Sequence, residues 1–227
     1  MNRTALIIGN SDGIGLAVSR RLLKQGWAVA GISRSASPIH DARYRHTICD
    51  VQEPAYPGLL RDVLRDVSRL DVCVYAVGIG ELLDMSNMQD DERVFAVNLM
   101  GLVKTIAVVL PFMSTHGGGH VIGLSSVADV LLSGDAPSYH ASKAAFSNYL
   151  EGLALATKSR GVHVTNIRFG FVDTKMARGD KKPFMISVER AVAHVLHCIA
   201  KRPVRHTAPK VVIPLVCFRK WMMRMFA

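Results

Sequence analysis

The segment "TALIIGNSDGIGLAVSRRLLKQG" (residues 4–26) decides the fold of this chain. It opens with a short apolar run typical of a buried strand, and it ends in a longer stretch typical of a helix. Between the two, glycines stand at positions 9, 13 and 15. Gly9 permits a tight turn, while Gly13 and Gly15 let backbone approach a pyrophosphate at the N-terminus of the helix. The segment therefore predicts a dinucleotide-binding loop, with a plain strand–helix turn as the alternative.

The rest of the chain repeats this alternation of strand and helix. Apolar runs typical of strands buried on both faces lie at 4–9, 28–33, 71–78, 120–126, 162–170 and 210–214, with a weaker one at 44–49. Helical patterns lie between them, near 14–25, 56–68, 90–113, 138–159 and 187–200. We predict a single-domain, Rossmann-like α/β fold, a doubly wound parallel sheet of about seven strands with helices on both faces. Residues 1–214 form this domain and 215–227 form a C-terminal tail.

Composition narrows the class of protein. The four cysteines, at 49, 73, 198 and 217, are widely spaced, which predicts reduced thiols and neither a disulfide framework nor a metal site. The apolar run near the N-terminus is too short for a signal peptide or a membrane span. We expect a cytoplasmic protein that binds small molecules rather than nucleic acid.

The stretch "SYHASKAAF" (138–146) places Tyr139 and Lys143 four positions apart. On a helix these side chains share one face. An ammonium group favours a nearby phenolate, so the pair is suited to general acid/base chemistry. An ordinary helix with an aromatic contact and a solvated lysine is the alternative.

Further motifs follow in order, and together with the glycine loop and "YHASK" they resemble the short-chain dehydrogenase/reductase family. They are "CDV" (49–51), "YAVG" (75–78), "VNLMG" (97–101), "GLSSVA" (123–128) and "NIRFGFVDTKM" (166–176). The chain departs from the family pattern in three places. Ile8 replaces a threonine, Tyr75 and Ala76 replace two asparagines, and Phe169 replaces a proline.

This resemblance implies an enzyme with a proton relay. Tyr139 would donate a proton to a carbonyl oxygen as hydride arrives from a nicotinamide ring, and Lys143 would lower the pKa of that tyrosine and bind the nicotinamide ribose. Ser126 would orient the carbonyl, with Ser125 as the less favoured alternative. Asn98 would hold a water that resupplies the proton.

The same motifs imply a set of cofactor contacts: Gly9, Ser11, Asp12, Gly13, Ile14, Gly15, Ser33, Arg34, Asp50, Val51, Ala76, Val77, Gly78, Tyr139, Lys143, Val172 and Thr174. Ser33 stands where a carboxylate would accept the ribose hydroxyls of NAD, and Arg34 follows it. Because a guanidinium binds phosphate well, we expect NADP(H) rather than NAD(H). Asp12 would repel that phosphate unless its carboxylate faces backbone amides instead.

The sequence thus predicts an NADP(H)-dependent oxidoreductase that reduces a ketone or aldehyde to an alcohol, or catalyses the reverse reaction. The alternative is a non-catalytic, dinucleotide-binding sensor or scaffold. The resemblance also implies a homodimer or homotetramer, with the helices near 99–113 and 139–158 between subunits.

The net charge of +10 is concentrated at the C-terminal end. Residues 1–174 hold 16 basic and 16 acidic residues, whereas residues 175–227 hold 12 basic and 2 acidic ones. In the tail, "LVCFRKWMMRMFA" (215–227), apolar and basic residues alternate in a pattern that predicts an amphipathic helix. The tail could pack on the pocket or a neighbouring subunit, lie on an anionic membrane surface, or bind an acidic partner such as an acyl carrier.

Overall fold

Seven parallel strands form one sheet in a computed structural model that describes residues 3–177 and 182–226. The strands are β1 (Thr4–Ile8), β2 (Ala28–Ser33), β3 (Tyr44–Ile48), β4 (Val72–Tyr75), β5 (Gly119–Ser126), β6 (Val162–Phe169) and β7 (Arg205–Ala208). Their order in the sheet is β3-β2-β1-β4-β5-β6-β7, and every pair is parallel. The order reverses between β1 and β4. That reversal opens a crevice at their carboxyl ends, where ligands bind in sheets of this kind.

Helices cover both faces of the sheet, as predicted. They are α1 (Gly13–Lys24), α2 (Tyr56–Leu64), α3 (Gln89–Phe95), α4 (Gly101–Thr115), α5 (Pro137–Thr157), α6 (Val188–Lys201) and α7 (Val212–Phe226). One core packs α2, α4 and α5 against the sheet, and a second packs α1 and α6 on the other face. The strands are apolar on both sides because both sides are covered. Ser187 caps α6 by accepting a hydrogen bond from the backbone of Arg190.

A π-helical turn (Ala96–Met100) joins α3 to α4 in one continuous helix, Gln89–Thr115. By length and composition alone this helix could cross a membrane, with a mean hydropathy of 2.0 over its most apolar window. Half of that window is buried in the protein, however, and Leu102, Ile106 and Val109 lie in the core. The apolar character therefore reflects packing against the sheet.

The last strand is not where the sequence placed it, so the prediction of a strand at 210–214 is wrong. β7 is Arg205–Ala208, which pairs with Asn166–Phe169 of β6. Only Ala208 of this strand is buried, because β7 lies at the edge of the sheet. The strand therefore contains no apolar run from which it could have been predicted. The apolar run at 210–214 instead leads into α7. Pro214 lies in the first turn of that helix, where a missing backbone N–H costs nothing.

Candidate active site

The glycine loop joins β1 to α1 with the geometry that a dinucleotide loop requires. Gly9 and Gly13 have φ angles of +86° and +54°, which side chains other than glycine rarely adopt. A Cβ at Gly15 would lie 2.1 Å from the carbonyl oxygen of Gly9, so only glycine lets α1 start this close to the turn. Around Gly13, by contrast, a Cβ would meet nothing closer than 3.6 Å. The first turn of α1 therefore has room for a bound group, and the loop fits a pyrophosphate.

Asp12 contacts both the backbone of α1 and a lysine of the segment that follows β6. Its carboxylate caps α1 by accepting a hydrogen bond from the Gly13 amide at 2.7 Å, and it pairs with the Lys175 ammonium at 2.7 Å. The hydrogen bond from Lys175, followed by that from Gly13, lowers the pKa of Asp12. The repulsion expected between Asp12 and a phosphate is thus weakened by an adjacent cation.

Asn10, which the sequence interpretation missed, supports the loop from inside. Its side chain is fully buried, accepts a hydrogen bond from the Ser33 hydroxyl at 3.1 Å and donates one to the Tyr44 hydroxyl. A Cβ at Gly31 would lie 1.7 Å from its amide nitrogen. A glycine inside a buried strand signals such a close approach, so Gly31 was the available clue.

The end of β2 presents a basic side chain to solvent. The Ser33 hydroxyl points inward, where it also contacts His46 at 2.8 Å, so Ser33 supports the loop through its side chain. Arg34 is 56% exposed, and its Nε lies 3.9 Å from the Asp50 carboxylate. This distance is at the limit of an ion pair. The guanidinium is therefore accessible to an anionic ligand at the carboxyl end of β2.

Asn98 fastens the chain that follows β4. Its side-chain amide accepts a hydrogen bond from the Ile79 amide at 2.8 Å, and donates to the Ile79 carbonyl at 2.9 Å and to the Ser142 hydroxyl at 3.0 Å. Tyr75, where the family has asparagine, donates its hydroxyl to the Val97 carbonyl at 2.7 Å. The π-helical turn that carries Asn98 is thus held from two sides.

Ser126 lies at the carboxyl end of β5, and its hydroxyl caps the following 3-10 turn (Val127–Val130) by accepting from the Ala128 amide at 3.1 Å. Ser125 is buried and bonds the Ser147 hydroxyl at 2.8 Å. Of the two candidate serines, only Ser126 is therefore placed beside Tyr139, whose pKa its hydroxyl influences. The sequence spacing favoured the same residue.

Lys143 is buried, and its Nζ donates to the Leu124 carbonyl at 3.1 Å. The same atom lies 5.9 Å from the centre of the Tyr139 ring and 4.8 Å from that of Phe146. Burial lowers the pKa of Lys143 to about 8, although the Asp129 carboxylate opposes this change. Burial also raises the pKa of Tyr139, an effect that the Ser126 hydroxyl opposes.

The expected lowering of the Tyr139 pKa by Lys143 is thus absent from this structure. The ammonium group is turned toward a carbonyl oxygen and an aromatic face, and burial is the largest influence on the pKa of Tyr139.

The segment after β6 crosses the crevice and completes the site. Val172 is buried and forms a bridge with Ile186. A Cβ at Gly13 would lie 3.6 Å from the Thr174 side chain, and one at Gly78 would lie 3.6 Å from the Met176 side chain. The structure therefore brings the glycine loop, the end of β4 and this segment together. Residues 178–181, which continue it, lie outside the described residues.

Within residues 3–177 and 182–226, no group of three or more His, Cys, Asp and Glu side chains is arranged to hold a metal ion. The "HGGGH" stretch (116–120) turns at Gly117 and Gly118, where φ is near +80°, and its last two residues begin β5.

Burial of Lys143 makes stability depend on pH in a predictable direction. Its pKa falls from an ordinary 10.5 to about 8, so the unfolded chain binds this proton more tightly than the native state. The resulting penalty is full below pH 8 and is relieved as the pH rises toward 10.5. We expect Lys143→Met to increase the free energy of unfolding at pH 7, and this gain to shrink by pH 10. Urea denaturation at both pH values measures it, with the exposed Lys158→Met as control. An equal gain at both pH values would contradict the prediction.

Comparison with known proteins agrees with this geometry. A family model described as short chain dehydrogenase matches residues 3–183. An uncharacterized oxidoreductase of Staphylococcus saprophyticus is 27% identical, covering 78% of this chain and 81% of its own length. Carbonyl reductase family member 4 of Xenopus tropicalis is 27% identical over 79% of each chain. A 3-oxoacyl-[acyl-carrier-protein] reductase of Salmonella typhimurium is 28% identical, covering 78% of this chain and 76% of its own.

Solved structures share the fold. A short-chain dehydrogenase from Streptomyces avermitilis superposes with a TM-score of 0.87 at 21% identity, covering 99% of this chain and 95% of its own. A short chain dehydrogenase from Burkholderia cenocepacia in complex with NADP gives 0.86 at 20% identity, covering 99% and 97%. At these identities the likeness is one of fold alone. The family match over most of the chain, together with the ordered motifs and their placement in the crevice, shows that this protein is an oxidoreductase of the short-chain dehydrogenase family.

Proposed function

We propose that this protein is an NADP(H)-dependent oxidoreductase that reduces a ketone or aldehyde to an alcohol, or catalyses the reverse reaction, through Ser126, Tyr139, Lys143 and Asn98. The observation that carries the proposal is the buried lysine beside a half-buried tyrosine at the carboxyl edge of the sheet, next to Gly78 and Gly80 in the chain that follows β4. The names of the relatives support a carbonyl substrate, and the bound NADP of the Burkholderia structure supports the cofactor.

The chain's own groups have separate tasks in this reaction. When bound, a nicotinamide cofactor would supply the hydride chemistry. The loop at Gly9, Gly13 and Gly15 would hold its pyrophosphate, and Lys143 would hold ribose hydroxyls. Ser126 would accept or donate a hydrogen bond to orient the substrate oxygen. Tyr139 would give that oxygen its proton.

Tyr139 is protonated at neutral pH, because an unperturbed phenol titrates near 10 and burial raises the pKa of Tyr139 further. The phenol is therefore in the form that a proton donor needs when a carbonyl oxygen gains charge. Asn98 binds Ser142, whose hydroxyl donates to the Tyr139 carbonyl at 2.8 Å. Asn98 would therefore position the relay as well as the backbone of Ile79.

A non-catalytic sensor is less well supported. A sensor needs the glycine loop and a contact to the ribose such as Lys143, but it gains nothing from a proton donor beside them. The pairing of Tyr139 with Lys143 therefore favours the enzyme.

We infer a homodimer or homotetramer that uses the outer faces of α4 and α5, with exposed Leu155 on α5 and exposed Met100 in the π-helical turn before α4. We also take residues 1–214 as the catalytic domain of a cytoplasmic protein and 215–227 as its tail. The helix α7 starts at Val212, so this boundary falls in its first turn.

Tyr139→Phe removes the proton donor and leaves the packing of the ring nearly unchanged. We expect turnover to fall by at least about 100-fold, the scale of a lost general acid, while NADPH affinity changes little. Oxidation of NADPH, followed by absorbance with a panel of ketones and aldehydes, measures it. Tyr149→Phe, on the same helix, is the control and should keep normal turnover. Full activity of a folded Tyr139→Phe protein would end the catalytic assignment.

Arg34→Ala should weaken NADPH binding by roughly 1.5–3 kcal/mol, the free energy of a charge-assisted hydrogen bond, and NADH binding much less. Titration of each cofactor by fluorescence measures both affinities. Arg65→Ala, at an exposed position directly after α2, should change neither. Equal weakening of both cofactors, or a preference of the unaltered protein for NADH, would show that Arg34 does not bind the 2′-phosphate.

The tail is the part of the chain that we propose attaches to an anionic membrane surface. Phe218 and Trp221 are each 57% exposed and stack on each other, and Leu215 and Met222 are exposed beside them. Residues 190–227 contain eight Lys and Arg and no Asp or Glu. The helix exposes aromatic and aliphatic side chains, and all the charged residues around it are basic. Such a helix can lie at the boundary between anionic headgroups and acyl chains of a membrane.

Removal of residues 215–227 should abolish salt-sensitive binding to phosphatidylglycerol vesicles and leave NADPH binding intact, because salt screens the exposed charges. Co-sedimentation at low and high salt measures the binding, with neutral phosphatidylcholine vesicles as the control.

If the full chain does not bind anionic vesicles at low salt but binds an acidic carrier protein, the tail binds that partner instead. If truncation unfolds the domain, the tail belongs to the core or to a subunit interface.

A further inference from the structure

A buried ion pair lies close to the proposed proton-transfer site. It has no part in the catalytic roles proposed above. The Asp129 side chain is 3% exposed and the Arg168 side chain 11% exposed. The guanidinium binds the carboxylate with two nitrogens, Nε donating to Oδ2 at 2.6 Å and Nη2 donating to Oδ1. This bidentate geometry is the strongest arrangement that the two groups can form.

Hydrogen bonds join the pair to its surroundings. The Ser147 hydroxyl donates to Asp129 Oδ2 at 2.6 Å and contacts the Ser125 hydroxyl at 2.8 Å. Arg168 lies opposite Ser125 across the β5–β6 pairing, and its Nη1 reaches the Thr207 hydroxyl of β7 at 3.5 Å. The Asp129 carboxylate thus accepts its hydrogen bonds from other side chains of the protein, Arg168 and Ser147.

The network connects the elements that carry the proposed relay. Asp129 lies in the 3-10 turn that Ser126 caps. Ser147 lies one helical turn after Lys143 on α5, and Tyr139 one turn before it. A substitution at Asp129 or Arg168 would therefore affect the turn that follows Ser126 and the helix that carries Tyr139 and Lys143.

Stability alone does not account for such a pair. A buried ion pair is seldom more stable than apolar side chains of similar volume. The remaining charged and titratable groups nearby lie on two sides. Tyr139 and Lys143 lie toward the crevice, and Glu151, bound to Arg205, lies toward β7.

Asp129 acts on both groups of the crevice in the same direction. Its carboxylate raises the pKa of Tyr139 and opposes the lowering of the pKa of Lys143. A guanidinium bound to both carboxylate oxygens supplies the opposite charge in the same place.

We propose that Asp129 and Arg168 are positioning residues whose paired charges set the proton affinity of the Tyr139–Lys143 site, Arg168 cancelling the carboxylate charge that this site would otherwise meet. The inference rests on the proposed function only for its use in catalysis, because the effect on proton affinity is a property of the folded protein.

The test is a titration of Lys143 by NMR in the complete protein labelled with ¹³C at lysine Cε, with the Lys143 signal assigned from its loss in Lys143→Arg. Asp129→Asn leaves Arg168 unpaired and should lower the Lys143 midpoint by at least ~0.5 pH unit, the scale on which a nearby charge shifts a pKa. Arg168→Met leaves the carboxylate unpaired and should raise it by a similar amount. The double variant, which carries neither charge, should titrate close to the unaltered protein.

Glu151→Gln is the matched control, since it removes a different ion-paired carboxylate, one that lies on α5, and should leave the midpoint in place. Shifts of opposite sign that cancel in the double variant support the proposal. No shift in the single variants, or shifts of the same sign, would overturn it, because a purely structural role predicts no such pattern.

Circular dichroism monitors folding in each variant. If Arg168→Met does not fold, the comparison of Asp129→Asn with the double variant still decides, because the double variant must titrate at the higher pH. The result of the lysine titration does not depend on whether the proposed function is correct. The lysine titration needs no turnover, whereas loss of the catalytic assignment would come from an active Tyr139→Phe protein.

Discussion

The burial of the Lys143 ammonium group is the constraint on which the site depends. A charge taken out of water needs partners or a lowered pKa, and this lysine has both. Its Nζ donates to the Leu124 carbonyl, faces the Phe146 ring, and has a pKa near 8. Gly78 leaves room beside it, since a Cβ there would lie 3.4 Å from Nζ. The close approach of the chain after β4 to α5 follows from that fit.

Places where the chain departs from the family pattern are compensated by contacts elsewhere in the fold. Tyr75 is much larger than asparagine, and Gly101 makes room for it, because a Cβ there would lie 2.3 Å from the Tyr75 hydroxyl. That hydroxyl in turn holds the π-helical turn that carries Asn98. Phe169, in place of proline, is buried in the core beneath α6. The site therefore keeps its position in the fold, although different side-chain contacts hold it there.

Charges at the rim of the crevice bear on the choice of cofactor. Arg34 and Lys175 bring two cations to the edge of the glycine loop, opposite Asp50 and Asp12. Both cations are largely exposed, so solvent screens the two pairs and either cation can turn toward a ligand at little cost. An anionic group at the end of β2 would thus meet a locally balanced surface rather than a bare carboxylate.

The sequence by itself determined the architecture. Six of the seven strands, the turn at the glycine loop and the helix that carries "YHASK" were predicted from local patterns, because buried parallel strands and tight turns restrict which residues can occupy them. Tertiary structure decided the rest. The edge strand Arg205–Ala208 is polar and short, so no apolar run marks it.

Asn10 beneath the loop, the Asp129–Arg168 pair and the net upward shift in the pKa of Tyr139 also came only from the fold. Each depends on groups that lie far apart in the sequence, such as residues 129 and 168, and on how deeply the fold buries them. Contact and desolvation are properties of three-dimensional proximity, and no spacing along the chain encodes them.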